Sequence, residues 1–165
     1  MKAIILCGGL GTRLREETEY KIEREWVQEK HSRSIQKGIV RGLHFQFTPH
    51  AETKLVRCIR GAIVDLCVDL RRNSATFGKW ISFELSEANK KVVMIPRGCA
   101  HGFCRMTDIS EGIYKLDNYD APEAEGGVAW NDPDLAIDRK LSSTPILSEK
   151  DATFMKFGEF CSVHH

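Results

Sequence analysis

Two histidines lie in short β-like runs of this sequence, His44 in "RGLHFQ" and His101 in "IPRGCAHGF". Arg41 and Gln46 share the first run, and Lys54 begins the next. Tyr114 and Tyr119 fall in "IYKLDNY", and Lys150 and Asp151 in "LSEKD". Imidazole and phenol groups move protons, carboxylates orient imidazoles, and ammonium or guanidinium groups hold anions. On a strand His44 and Gln46 share one face, because side chains alternate with period two. Taken singly, each residue is at least as well explained by structure: a hydrogen-bonded strand histidine, a packed tyrosine, a solvated lysine, an aspartate in a helix's first turn. Chemistry requires elements that bring them together.

The chain opens "MKAIILCGGLGTRLREETEYK". Ala3 to Cys7 reads as a short buried strand. Gly8, Gly9 and Gly11, followed by Thr12 and Arg13, suit a loop whose amides approach phosphate closely. The stretch resembles the start of glucose-1-phosphate cytidylyltransferases, and the resemblance stops near Lys21. Nucleotidyl transfer needs a doubly wound sheet with sugar and metal sites beyond such a loop. No βαβα alternation follows, and a glycine loop without its domain is a weak signal.

At 165 residues the chain is one ordinary domain with room for a core. With 24 Lys+Arg against 23 Asp+Glu, no whole-chain field favours nucleic acid or a membrane surface. The six cysteines form no C-x-x-C pair, and Cys58, Cys67 and Cys104 sit in apolar or strand-like runs. Reduced thiols in a cytoplasm are expected. "KAIILC" is too short for a secretory signal, and no run approaches transmembrane length. The terminal His164 and His165 have no place in the site.

The runs 38–46, 54–71, 79–86, 90–96, 101–106 and 111–119 are rich in β-branched and aromatic residues, and turn signals separate them. They predict an antiparallel sandwich or barrel. The charged stretch 14–30 is the one expected helix of any length, without a clean apolar stripe. A shorter helix is expected in "SEKDATFMKF", capped by Ser148.

Together these strings are more specific than any single residue. "VQEKHSRS", "GIVRGLHFQ", "KLVRCIRGAIVDLCVDLRRNSATFGKW", "ELSEANKK", "IPRGCAHGF", "YKLDNY", "WNDPDLAID" and "PILSEKD" occur in order between Trp26 and Asp151. This block resembles the dTDP-4-dehydrorhamnose 3,5-epimerase family. The resemblance implies an all-β cupin-type double-stranded β-helix (jelly roll) with minor helical segments, normally a homodimer. It divides the chain into a nucleotidyltransferase-like remnant, 1–21, and a cupin epimerase domain, 22–165.

The implied substrate is a nucleotide-linked (dTDP or CDP) 4-keto-6-deoxyhexose of rhamnose-type and O-antigen synthesis. Its ketone acidifies carbons 3 and 5, so each centre inverts by proton removal and return on the opposite face. That needs a base, an acid and a cation for the enolate oxygen. By resemblance His44 is the base, Asp151 its orienting carboxylate, Tyr114 the acid and Lys54 the cation. His101 is a further site position, and Gln46 belongs with the substrate-binding set. Arg41 and Lys150 contact the diphosphate, and Gln28 and Tyr119 line the nucleotide end. No cofactor is needed, because the substrate's carbonyl stabilises the carbanion. No metal is expected either, because metal-binding cupins carry two histidines one residue apart, and Phe45 and Gln46 follow His44.

Three departures from the family pattern stand out. "MKAIILCGGL" occupies the place of an N-terminal strand that lends the site an arginine and aromatic side chains. Lys30 stands where asparagine is usual, and Asp120 where a second tyrosine often follows Tyr119. They leave a second reading, an impaired cupin that binds nucleotide sugar without full activity.

Overall fold

The alternating runs fold as strands because each has one apolar face to bury and a neighbour to pair with. In chain order the elements are β1 (Ala3–Ile5), β2 (Gln28–Ser34), β3 (Val40–Gln46), β4 (Lys54–Arg60), β5 (Ala62–Asp69), β6 (Trp80–Ser86), β7 (Val92–Ile95), β8 (Cys99–Arg105) and β9 (Ser110–Leu116). A 3-10 turn (Pro122–Ala124), β10 (Glu125–Gly127), α1 (Glu149–Ala152) and α2 (Phe157–Val163) follow. The computed structural model describes residues 3–5, 24–138 and 144–163.

Two five-stranded sheets form, ordered β1-β7-β4-β9-β2 and β10-β3-β8-β5-β6. All pairs are antiparallel except β1 with β7. From β6 onward successive strands alternate between the sheets, the winding of the expected cupin-type jelly roll. The run 54–71 becomes two strands because the chain turns at Gly61, whose φ of +69° suits glycine.

One core lies between the sheets: Val56 and Cys58 of β4, Val93 of β7 and Leu116 of β9 meet Ile63, Leu85 and Phe103 of the second sheet. A second core covers that sheet's outer face, where Leu43, Leu66 and Val68 meet Val128, Leu135 and Phe160. β5 is therefore buried on both faces, which its near-continuous apolar sequence reflects. Cys58, Cys67 and Cys104 are buried in the cores.

The expected helix over 14–30 is corrected at its end. Residues 24–27 are irregular and Gln28–Ser34 is β2, while 14–23, like the glycine loop and the terminal histidines, lie outside the described residues. β2 pairs with β9 along its whole length, from Gln28 opposite Leu116 to Ser34 opposite Ser110. Its residues alternate between half-buried and exposed, a period hidden because both faces are polar.

Residues 144–155 wrap onto the second sheet. Ile146 bridges to Ile39 and Met155 to Val128. Between these anchors Ser148 caps α1, its hydroxyl accepting from the Asp151 amide at 3.1 Å. The expected helix is thus present but ends at Ala152, because the chain beyond it becomes sheet-bonded.

Candidate active site

β3 and β8 approach unusually closely where the two histidines stand. Gly42 has φ +91°, and a Cβ there would fall 2.4 Å from the His101 carbonyl oxygen. A Cβ on Gly102 would meet the Arg41 carbonyl oxygen at 2.6 Å. Side chains at either position would force the strands apart. The register shifts between Arg41 and His44, and His44 then lies directly opposite His101.

Each imidazole is backed by a buried aspartate. His44 Nε2 is 2.6 Å from Asp151 Oδ1, and His101 Nε2 is 2.7 Å from Asp65 Oδ1. The Gly42 amide donates to Asp151 Oδ1 at 3.0 Å, and the Ser148 hydroxyl to Oδ2 at 2.6 Å. Burial alone would raise the Asp151 pKa. The bonds from His44, Ser148 and Gly42 outweigh it and hold the carboxyl well below the usual carboxylate range. A depressed folded pKa stabilises the fold above the ordinary carboxylate pKa and loses that contribution as pH falls towards the folded value. Asp151→Asn should therefore lower the urea midpoint at pH 7. The gap from wild type should narrow once pH drops below about 4.

These histidines open into a cavity of about 610 Å³ between the sheets. Arg41, Lys54, Tyr114 and Gln46 share its lining, so six of the ten residues singled out from the sequence converge there. Tyr114, from the opposite sheet, is 9% exposed. Burial and the Asp65 charge push its phenol well above the ordinary range, against a smaller opposing pull from Arg105. Lys54 is mostly buried, its ammonium 3.0 Å from Glu52. Arg41 is half-exposed, 3.9 Å from Asp151.

The remaining candidates sit around this lining. Asp151 lies behind His44. Lys150 is tied to Glu125, which does line the cavity and stands 4.0 Å from His44 Nδ1. The Gln28 side chain accepts from the Asp120 amide at 3.1 Å. The Tyr119 ring is exposed, and its carbonyl accepts from Gln46. Gln46 also donates to the His50 carbonyl and accepts from the Ala121 amide, so its amide holds the 119–121 turn in place. The two departures pair with each other: Lys30 lies 2.8 Å from Asp120 at the cavity rim.

Asp65, Glu52, Glu125 and Arg105 escaped sequence reasoning. Asp65 had a usable signal, a carboxylate inside the apolar run "AIVDLCVD", where an unpaired charge would be costly. The others announce themselves only through contacts. Among the described residues no three His, Cys, Asp or Glu side chains cluster as metal ligands would.

The description dTDP-4-dehydrorhamnose 3,5-epimerase matches residues 12–159. The chain belongs to this family. It is 48% identical over 134 residues to the dTDP-4-dehydrorhamnose 3,5-epimerase of Escherichia coli (strain K12), covering 81% of this chain and 72% of that relative. Among solved structures it is similar to the Legionella pneumophila epimerase in complex with dTDP-4-keto-L-rhamnose. There the TM-score is 0.79 and the identity 41%, over 83% of this chain and 72% of that one. The Bacillus anthracis family member, solved with TDP and PPi bound, gives a TM-score of 0.80 at 42% identity over 82% and 77%.

Proposed function

We propose that the protein inverts carbons 3 and 5 of a dTDP-linked 4-keto-6-deoxyhexose, an isomerase step in rhamnose-type deoxysugar synthesis. The observation that carries this reading is the placement of an aspartate-backed imidazole, His44, and a buried phenol, Tyr114, on opposite sheets of one cavity. Inversion needs a base on one face of the sugar and an acid on the other. With Nε2 bonded to Asp151, His44 presents Nδ1 as the basic nitrogen. Asp151 then stabilises the imidazolium that forms. Lys54 faces the enolate oxygen, and the substrate's own carbonyl carries the charge, so no cofactor takes part. Tyr114, kept protonated by burial, returns a proton from the other face.

Arg41 contacts the diphosphate, and Lys150 joins it by exchanging Glu125 for phosphate. Gln46 shapes the binding wall, Gln28 and Tyr119 lie at the nucleotide end, and His101 is a second polar wall of the sugar site. The ligands of the Legionella and Bacillus structures favour dTDP over CDP. The protein works as a cytoplasmic homodimer, and neither nucleic acid nor a membrane is a partner. The first 21 residues are a cytidylyltransferase-like remnant that takes no nucleotide, and the epimerase domain follows them. Relatives at this identity are named as epimerases, which lends no support to the impaired, binding-only reading.

The test is incubation with dTDP-4-keto-6-deoxyglucose in deuterated water. Deuterium should enter at carbons 3 and 5, and the inverted sugar should accumulate. Tight binding with no exchange at either carbon would overturn the enzyme reading.

A further inference from the structure

We propose that Arg105 is a positioning residue for the proton donor, holding a positive charge beside Tyr114 that stabilises the phenolate left when the tyrosine gives up its proton. This rests on Tyr114 being the acid. Arg105 is only 4% exposed, yet no carboxylate among the described residues pairs with it. Nη1 donates to the Ser110 carbonyl and hydroxyl at 2.5 and 2.6 Å, and Nη2 to the Ser32 hydroxyl at 2.8 Å. Nε is buried with no partner. A guanidinium buried without a counter-anion is costly, and this one lines the cavity.

Its surroundings point at the tyrosine. Along β8, His101, Phe103 and Arg105 alternate onto the cavity face. The Arg105 guanidinium lies 5.3 Å over the Phe103 ring, whose centroid is 6.2 Å from that of Tyr114. The Tyr114 hydroxyl leans towards Gly112, where an added Cβ would come within 3.1 Å of it. Gly112 is opposite Ser32, the residue that anchors Arg105. The hydroxyl is therefore on the Arg105 side of its ring.

The charged and titratable groups facing Tyr114 are His101 and Arg105 from β8, Asp65 from β5, Cys58 from β4 and Lys30 opposite it on β2. Lys30 is neutralised by Asp120, and Asp65 is bonded to His101. Lys54 and Arg41 also line the cavity, but Lys54 is paired with Glu52 and Arg41 stands by Asp151, and Arg105 is the cation whose charge favours the phenolate. Desolvation lowers its own pKa and Tyr114 opposes that shift, the reciprocal of its pull on the phenol.

In the step itself the tyrosine O–H bond breaks and the enolate's electron pair forms the new C–H bond at carbon 5. Before the next turnover the His44 imidazolium releases the proton it removed to solvent and the phenolate takes one up, so no net proton is consumed. Without the guanidinium the phenol is a weaker acid, while proton removal by His44 is untouched.

The experiment compares Arg105→Gln, which keeps N–H donors for the serines, with Arg105→Lys, which keeps the charge. Both use the full chain and dTDP-4-keto-6-deoxyglucose in deuterated water. In Arg105→Gln, kcat for net inversion should fall about tenfold, the worth of one pKa unit, while deuterium entry at carbon 5 stays within about twofold. Arg105→Lys should recover most of the inversion. With 3-fluorotyrosine at position 114, the fluorine titration should move to higher pH in Arg105→Gln. If that variant does not fold, Arg105→Met carries the same expectations. Unchanged inversion, equal impairment in Gln and Lys variants, or a raised KM at unchanged kcat (a diphosphate contact instead) would each overturn the proposal. Tyr114→Phe is run alongside. Normal inversion there would remove the tyrosine from its role, whereas blocked inversion there with normal inversion in Arg105→Gln would sink only the Arg105 inference.

Discussion

His44→Ala is expected to lower deuterium entry at carbon 5 by at least ~100-fold, the low end for removing a general base. The cavity offers no ready substitute. Asp151 is fully buried behind His44, accepts three hydrogen bonds and is held strongly ionised and weakly basic. His101 is bonded to its own aspartate on the neighbouring strand. Glu125 stands 4.0 Å from His44 Nδ1, but its carboxylate is drawn to Lys150. The fold should survive the change, because the imidazole is partly open to the cavity and the Gly42 and Ser148 bonds to Asp151 remain. Far-ultraviolet dichroism checks this, and near-wild-type exchange in a folded variant would remove His44 from the mechanism.

Tyr114→Phe should divide the reaction into its halves. Ring packing against Phe103 and His101 survives, and only the hydroxyl is lost. If the phenol serves solely as donor, His44 still exchanges the carbon 5 hydrogen with solvent, while net inversion there falls by ~100-fold or more. Parallel loss of exchange and inversion would instead assign the tyrosine to binding or to the first step. Because phenol and imidazole come from different sheets, the two activities should separate cleanly.

The predictable part of the architecture was local. Six β-rich runs correspond to seven strands because alternation and turn residues are written into short segments, as in "KKVVMIP" for β7 and "KWISFELS" for β6. β2 differs from the helix that its charged sequence suggests because "QEKHSRS" carries no apolar face, and its strand character comes from pairing with β9. β10, "EGG", has no propensity signal at all and is a strand because β3 needs a partner at its edge.

The same division runs through the site. Residue types and ordered strings single out His44, Tyr114, Lys54, Asp151 and Arg41 as candidates, because each side chain's chemistry is intrinsic. What only the tertiary structure decided is which atoms meet. Asp151 reaches His44 across 107 positions of chain because residues 144–155 are bonded to the second sheet on either side of α1. Asp65 finds His101 because β5 and β8 are neighbours. Lys150 meets Glu125, and Gln46 bonds to turn backbone, pairings that their places in the sequence do not announce. Arg105 looks like any surface arginine in "HGFCRM", yet in the fold it is buried, bonded to Ser32 and Ser110 and with no carboxylate partner among the described residues. Composition and spacing determine what a side chain can do; burial and the charges packed around it set its protonation and its partners, and both arise only when the sheets close.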